Sequence, residues 1–261
     1  MSDDRSARSI AGDGAALEIA GITDRGPVRT QNQDVWDAQV GAGGSTAVLA
    51  LADGMGGHKG GLEAADAAVT AAMAVLSSGE PSADAATTLR RAVEAATGAV
   101  AGARDVIGGN PGTTLVLAII TGMHASVANV GDSRGYLISS AAVIQITDDH
   151  SWAAGQVRLG ALDAAEARHH PRRNVIERAV MGDPVDTDIF EVDAAPGDVL
   201  LLCSDGLWEP LSDQALGAIL ATPDPLGVAL TRACDAALAG GGTDNVTMVA
   251  ARWLPLPSAA S

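Results

Sequence analysis

The sequence has few aromatic residues and few cysteines. The first shortage restricts the residues that can fill the core, and the second restricts the kinds of scaffold and metal site. Aromatic side chains make up only 2% of its 261 residues although 47% are hydrophobic, so a core must be filled by Ala, Val, Leu and Ile. That amount of apolar material is enough for one large domain. The two cysteines, Cys203 and Cys234, stand far apart and form no CxxC pair, which argues against a disulfide scaffold and a zinc site.

Long hydrophobic runs and net positive charge are lacking as well. No uninterrupted apolar stretch reaches the roughly 20 residues that span a bilayer, and the segment MSDDRSARSI lacks the apolar part of a secretory signal. The 32 acidic and 16 basic residues give a net charge of −16, which repels nucleic-acid phosphates and anionic lipid. We therefore expect a cytoplasmic, monomeric protein that has no nucleic-acid or membrane partner.

Three catalytic signatures are also missing. No GxSxG motif is present, which excludes a serine-hydrolase elbow. The glycine-rich stretch DGMGGHKGG does not match a phosphate-binding loop, because Lys59 is not preceded by Gly and followed by Ser or Thr. A cysteine phosphatase needs an arginine six residues after its nucleophile, and the sixth residue after Cys203 is Glu209. Cys203 is therefore predicted to be a small buried hydrophobic residue.

The organisation of the chain favours one domain. We predict a catalytic domain over residues 16–254, between a disordered segment at 1–15 and a disordered tail at 255–261. Alternating or continuous apolar patterns predict strands at 17–24, 35–40, 46–53, 113–120, 125–132, 134–138, 141–146, 189–193, 198–205 and 245–253. Helices are predicted at 61–76, from Pro81 and Ser82 to about 104 with Ser82 or Asp84 as the cap, and at 151–160, 163–169, 212–220 and 225–239. This order predicts a layered α+β fold instead of alternating βαβ units.

Aspartates recur at the ends of the predicted strands. Two apolar strands end at Asp53 and Asp205, each followed by glycine, while Asp34 and Asp244 directly precede two other strands. A carboxylate beside an apolar strand is costly to desolvate unless a cation or a hydrogen-bond donor compensates it. A common Asp-Gly turn explains any single case. The recurrence at four sites favours a functional cluster.

Oxygen ligands of this kind select hard ions such as Mg²⁺ or Mn²⁺. Two such ions can share one carboxylate and hold a bridging hydroxide that attacks phosphorus in line. The forked guanidinium of Arg29, five residues before Asp34, suits a phosphate, although a solvated surface arginine is an equal alternative. Glycine at 54 would let the backbone approach a metal and offer the Gly54 carbonyl as a ligand.

Taken together, these motifs resemble the metal-dependent protein phosphatases, the type 2C Ser/Thr family, in their bacterial single-domain form. The resemblance covers about 17–253 and is carried by TDRGPVRTQNQD, LADGMGGHKGG, GTTLVLAI, ANVGDSRGYLI, ITDDHS, HPRRNVIERAVMGDP, GDVLLLCSDGLWEPLSD and GGTDNVTMV. It implies a four-layer α-β-β-α sandwich, with two mostly antiparallel sheets flanked by helix pairs. It also implies hydrolysis of phosphoserine and phosphothreonine on proteins, which would be substrates of Ser/Thr kinases.

The resemblance implies a role for each site residue. Asp53 would bridge two Mn²⁺ or Mg²⁺ ions, the Gly54 carbonyl would serve one ion, and Asp205 and Asp244 would serve the other. Asp34 would support the site directly or through a metal-bound water.

By the same resemblance, Arg29 would bind the phosphate. Asp132 and Glu209 match a third, weaker metal position, where Glu209 replaces the commoner Asp.

Two departures from the family pattern bear on mechanism. Gln33 stands where many members carry Glu, so the resemblance implies that one second-metal ligand would be lost or replaced by water. Met55 stands where some members place a histidine proposed as general acid, so the leaving alkoxide would be protonated by metal-bound water or by another group, for which His58 is a testable candidate. The stretch 150–181 resembles the family's flap, and its ARHHPRR is either a substrate-holding cluster or a solvated face.

Two alternatives to an active enzyme remain open from the sequence. One is a pseudophosphatase that binds a phosphoprotein without cleaving it, for which Gln33 is the hint. The other is an acidic structural protein that binds metal incidentally.

Overall fold

The computed structural model of the chain describes residues 5–10, 16–41, 43–56, 60–78 and 84–255. The strands are, in chain order, β1 (Arg5–Ile10), β2 (Leu17–Asp24), β3 (Asp34–Val40), β4 (Thr46–Met55), β5 (Gly112–Thr113), β6 (Leu115–Thr121), β7 (His124–Val130), β8 (Arg134–Ile138), β9 (Val143–Gln145), β10 (Asp188–Asp193), β11 (Val199–Cys203) and β12 (Val246–Trp253). The helices are α1 (Gly61–Ser77), α2 (Ala85–Ile107), α3 (Trp152–Arg158), α4 (Ala164–His169), α5 (Asp205–Trp208), α6 (Asp213–Leu220) and α7 (Leu226–Ala239).

The strands form two sheets. The first sheet has the order β1-β2-β12-β11-β8-β9, and the second has the order β10-β7-β6-β4-β3, with the short β5 paired to the end of β4. Every strand pairing in the described residues is antiparallel. This confirms the predicted α+β class with antiparallel sheets.

The central strands are buried on both faces, which explains their continuous apolar runs. On β4, Leu49 and Leu51 belong to the core between the two sheets, whereas Ala50 and Ala52 pack with α1 and α2. Successive side chains of a strand point to opposite sides, so one strand serves two cores. The sequence pattern TAVLALAD is therefore the expected pattern for this position.

The first sheet is built in the same way. On β11, Leu200 and Leu202 lie in the core between the sheets, whereas Leu201 and Cys203 pack with α6 and α7. The layers therefore run from α1 and α2 through the second and first sheets to α6 and α7. Cys203 is fully buried, as predicted, and burial raises the pKa of its thiol.

Helix ends agree with the capping chemistry in the sequence. The Asp84 side chain caps α2 by accepting a 2.7 Å hydrogen bond from the Thr87 amide. Asp163 and Glu166 form a capping box at the start of α4. The two other residues proposed for the start of α2, Pro81 and Ser82, lie outside the described residues. None of the helices in the described ranges is long and apolar enough to cross a membrane.

The prediction of disorder over 1–15 is wrong for Arg5–Ile10. This polar segment forms β1, whose six residues all pair with β2, and Arg5 bonds to Asp24 at 2.7 Å. Residues 1–4 and 11–15 lie outside the described residues, as do 256–261 of the predicted tail. Two short elements were not predicted as separate ones: Thr113 of β5 was assigned to the strand 113–120, and Asp205 of α5 to the strand 198–205.

Candidate functional site

Asp34 and Asp53 reach the site through strand alternation. Asp53 follows Leu49 and Leu51 at two-residue spacing on β4, so its side chain points to the space between the sheets. Asp34 pairs directly opposite Asp53 in the β3–β4 register. Both carboxylates therefore stand at the same end of the second sheet, facing the first.

The first sheet brings Asp205 and Asp244 to the same end. The chain leaves β11 at Ser204 and turns into α5 at Asp205, while Asp244 lies in the loop before β12. A hydrogen bond of 2.7 Å from Ser204 Oγ to Asp34 Oδ2 ties the two sheets together at this point. Residues from distant parts of the chain thus meet at one end of the sandwich, as predicted.

Asn245 fixes the loop that carries Arg29. Its Nδ2 donates to the carbonyls of Arg25 at 2.8 Å and Gln31 at 3.1 Å, and its Oδ1 accepts from the Gln33 amide at 2.9 Å. A Cβ on Gly206 would lie 1.9 Å from the Asn245 carbonyl oxygen, so only glycine fits at the start of α5. The roles of Asn245 and Gly206 were not predicted from the sequence, because both depend on tertiary contacts.

Packing alone requires glycine at 54. A Cβ there would lie 2.2 Å from the carbonyl oxygen of Gly61 and 2.7 Å from that of Gln33. The identity of Gly54 is therefore explained without a metal, and the predicted role of its carbonyl as a ligand stays a prediction.

The electrostatics of Asp53 and Asp205 are those of crowded, buried carboxylates. Burial raises the pKa of Asp53 well above its ordinary value, and the negative charges of Asp34, Asp205, Asp132 and Asp244 raise it further. The pKa of Asp205 is raised for the same reasons, first by burial and then by repulsion from its acidic neighbours. Such a cluster favours either protons or bound cations.

Asp34 lies in the same environment but has partners. Burial raises its pKa to about 6, while hydrogen bonds from Ser204 and Thr247 oppose the rise. Its other oxygen, Oδ1, and Asp205 Oδ1 are buried without a hydrogen-bond partner in the described residues. Burying a carboxylate oxygen without a partner costs folding free energy. A bound hard cation would offset this cost, because carboxylate oxygens are its preferred ligands.

Arg29 lies beside the cluster and pairs with one of its members. Its Nη2 donates to Asp244 Oδ2 at 2.5 Å. Burial by itself would lower the Arg29 pKa, but the hydrogen bond and charge of Asp244 outweigh it, and the charges of Asp205 and Asp53 add to the rise. About half of the side chain is exposed, which leaves it free to meet a ligand.

Asp132 and Glu209 lie next to this cluster. Burial, followed by the charges of Asp149 and Glu209, raises the pKa of Asp132 to about 7, although Arg134 opposes the rise. The ring nitrogen of Trp208 donates to the Asp132 carbonyl at 3.1 Å. The two residues predicted to bind a third ion are therefore neighbours in space, although they are far apart in the sequence.

The arginines of the flap are engaged with the protein itself. Arg173 Nε pairs with Glu209 Oε1 at 3.0 Å. The Arg172 guanidinium lies 4.2 Å from the centre of the Trp152 ring. Arg168 bonds to the backbone carbonyls of 208, 209 and 211. The ARHHPRR stretch is thus not one free cationic patch. His58, the candidate general acid, lies outside the described residues.

The clustered aspartates have the oxygen ligands that suit a hard cation, but their side chains do not surround a common point. Within the described part of the chain, no three Asp, Glu, His or Cys side chains form a ready set of ligands for an ion. One oxygen of Asp244 is held by Arg29, and one oxygen of Asp34 by Ser204. The crowded charges and the unpartnered oxygens nevertheless fit divalent cations better than any neutral group.

Comparison with known proteins assigns the family. The family model described as protein phosphatase 2C matches residues 28–235, which is most of the chain. The match includes Arg29, Asp34, Asp53 and Asp205, whereas Asp244 and Asn245 follow it. The chain belongs to the protein phosphatase 2C family. It is 40% identical over 240 residues to the serine/threonine protein phosphatase PstP of Mycobacterium tuberculosis, covering 90% of this chain. It spans only 45% of the length of that relative.

One further relative and one solved structure extend the phosphatase 2C assignment. The serine/threonine phosphatase stp of Listeria monocytogenes is 33% identical over 242 residues, which cover 87% of this chain and 92% of that protein. The crystal structure of the PstP catalytic domain in complex with two manganese ions superposes with a TM-score of 0.78 at 37% identity. It covers 92% of this chain and 99% of the other. These matches confirm the fold and the family predicted from the motifs.

Proposed function

We propose that the chain is a metal-dependent phosphatase that hydrolyses phosphoserine and phosphothreonine on proteins. The observation that carries the proposal is the buried carboxylate cluster, which is assembled from both sheets and retains unpartnered oxygens on Asp34 and Asp205. Membership of the phosphatase 2C family supports the reaction class. The match to the Listeria phosphatase supports it over nearly the whole of that relative.

Two divalent ions would be held by the residues at the ends of the sheets. Asp53, which faces carboxylates from both sheets, would contact both ions. The Gly54 carbonyl would serve one ion, Asp205 and Asp244 the other, and Asp34 would act directly or through water. The two manganese ions in the PstP catalytic domain support Mn²⁺, and Mg²⁺ suits the same oxygen ligands.

A third, weaker ion would lie at Asp132 and Glu209. The raised pKa of Asp132 supports this position, because burial and the nearby charge of Glu209 both disfavour its bare carboxylate. The ion pair between Glu209 and Arg173 competes with it, which is consistent with weak binding.

When bound at Asp53, Asp205 and Asp244, divalent ions would supply positive charge for hydrolysis of a phosphate ester. The chain's own residues hold and orient the substrate. Arg29 presents a planar fork of five N–H donors to the phosphate, and its Nη2 donates to Asp244. Asn245 keeps the Arg29 loop in place through its bonds to 25, 31 and 33.

The substrates would be proteins phosphorylated by Ser/Thr kinases, and the enzyme would act in the cytoplasm as a monomer. The acidic surface, with a net charge of −16, makes nucleic acid and anionic membrane poor partners. A cavity of about 530 Å³, lined by Arg29, Asn174, Glu209 and Asp244, opens beside the site and has room for a phosphorylated side chain.

The test is turnover of a phosphothreonine peptide by the protein stripped of metal and then supplied with Mn²⁺. We expect release of inorganic phosphate that requires the ion, stops with chelator and returns when Mn²⁺ is restored. A protein that binds the peptide but releases no phosphate under saturating Mn²⁺ is a pseudophosphatase. A protein that binds neither peptide nor metal contradicts the proposal altogether.

A further inference from the structure

Arg168, on the flap helix α4, bonds to the end of the helix that begins at Asp205. Its Nη2 lies 2.6 Å from the carbonyl oxygen of Trp208, 3.0 Å from that of Leu211 and 3.3 Å from that of Glu209. One nitrogen with two hydrogens makes two good bonds, so the shorter contacts to Trp208 and Leu211 are the principal ones.

The carbonyls at this point need a donor. The last carbonyls of a helix have no partner within it, and α5 is only four residues long, Asp205–Trp208. Within the turn, the amide of Glu209 bonds back to Asp205 and that of Leu211 to Leu207. A basic side chain that bonds the last carbonyls is a recognised way to end a helix. Here that side chain comes from another segment, 40 residues away in sequence.

The position of α5 makes this contact relevant to the site. The helix starts at the candidate ligand Asp205 and ends next to Glu209, so a shift of α5 moves both carboxylates together. Its start is fixed because Gly206 packs against the Asn245 carbonyl without room for a Cβ. Its end is held through Trp208, whose ring nitrogen bonds to the Asp132 carbonyl, and through Arg168.

Arg168 also lies between two cavities. It lines the cleft of about 530 Å³ that contains Arg29 and Asp244, and also a cavity of about 330 Å³ under the flap that is lined by Trp208 and Arg134. The flap and α5 therefore meet at this side chain. Its neighbour Arg173 makes a different contact, an ion pair with the Glu209 carboxylate.

We propose that Arg168 is a positioning residue that clamps the flap to α5 and thereby holds Asp205 and Glu209 in the arrangement that binds cations. This inference rests on the proposed function, since it assigns the clamp a role in metal binding. Arg168 is not a catalytic residue in this account: its Nη2 is used by the backbone of 208–211, and its effect on the reaction passes through Asp205 and Glu209.

The test compares Arg168→Ala with wild type by calorimetric titration of Mn²⁺ into the metal-free protein, without substrate. We expect about tenfold weaker binding, the lower end of the range for residues that orient metal ligands. Arg168→Lys should recover part of the affinity, because an ammonium can donate to one of the carbonyls. Hydrogen exchange should rise in both α4 and α5 of Arg168→Ala, since each helix holds the other.

Arg172→Ala is the matched control. It removes the same side chain from the same flap, but the Arg172 guanidinium lies over Trp152 and not on α5. We expect wild-type Mn²⁺ affinity and unchanged exchange in α5. If Arg168→Ala does not fold, Arg168→Lys and Arg168→Gln provide the same comparison with a smaller change.

The outcomes separate the inference from the proposed function. Equal Mn²⁺ affinity and equal α5 exchange in the Arg168 and Arg172 variants overturn the clamp, even when the wild type is an active phosphatase. A wild type that binds no Mn²⁺ overturns the proposed function and the metal-binding role of the clamp together. In that case, hydrogen exchange in α4 and α5 of Arg168→Ala still shows whether Arg168 links the two helices.

Discussion

Ser204 donates a hydrogen bond of 2.7 Å to Asp34, and this bond joins the two sheets beside the carboxylate cluster. Ser204 follows β11 of the first sheet, whereas Asp34 begins β3 of the second. The Ser204 oxygen also accepts from the Thr247 amide at 3.1 Å, so it is held from its own sheet. The serine thus positions one candidate ligand from across the sandwich.

Ser204→Ala should destabilise the protein by about 1–3 kcal/mol, because the buried Asp34 carboxylate loses a hydrogen bond on Oδ2 while its Oδ1 already lacks a partner. Denaturant unfolding of the metal-free protein measures the change. Ser140→Ala, at an exposed position of the turn between β8 and β9, is the control and should stay within about 0.5 kcal/mol of wild type. A Ser204 variant as stable as the control would show that the bond contributes nothing.

Asp53→Asn and Asp205→Asn should each lower kcat by about a hundredfold or more, the scale of losing metal-based charge stabilisation. The same substitutions should not destabilise the metal-free protein, because each removes a charge that its neighbours repel. Steady-state kinetics with an aryl phosphate and thermal unfolding measure the two effects. Cys203→Ser, on the buried side of β11, should retain wild-type kcat. Full activity in both Asp variants refutes the assignment.

Asp34 gives the metal-free protein a distinct pH dependence. Because its pKa of about 6 in the folded protein lies above the ordinary value of 3.8, the folded state binds a proton more readily than the unfolded state does. The stability from Asp34 is therefore fully present below about pH 4 and is lost as the pH rises through 6. We expect the Tm of wild type to fall relative to that of Asp34→Asn between pH 4 and 7. Parallel Tm curves for the two proteins would contradict this assignment.

Arg29→Ala should raise KM for a phosphopeptide about tenfold or more, since it removes a forked cation that a phosphate uses. Its affinity for Mn²⁺ should be equal to or higher than that of wild type, because Asp244 is released from its ion pair. Arg8→Ala, which removes an exposed arginine paired with Asp37, should change neither quantity. A Mn²⁺ affinity that falls in Arg29→Ala would indicate that the arginine organises the ligands and does not compete for them.

The layered fold and the cluster could be predicted because their signals are local. The apolar run of β4 and the aspartate at its end lie within ten residues, and period-two burial fixes the face on which Asp53 points. The strand β1 could not be predicted in this way, since RSARSI is polar and its strand conformation comes from pairing with β2.

The supporting residues of the site were beyond sequence reasoning for a related reason. Ser204 and Asp34 are 170 residues apart, and Asn245 and Gln33 are 212 residues apart. A serine or asparagine after a strand has many ordinary explanations, including a turn or a cap. Only the packing of the two sheets gives these side chains their partners.

The central claim is that carboxylates from both sheets hold a pair of hard cations. Anomalous scattering from crystals grown with Mn²⁺ tests it most directly. We predict two peaks about 3.5–4 Å apart, with Asp53 contacting both and with Asp205 and Asp244 on one of them. Crystals at saturating Mn²⁺ that show no peak at Asp53, or peaks only at surface carboxylates elsewhere, would contradict the account.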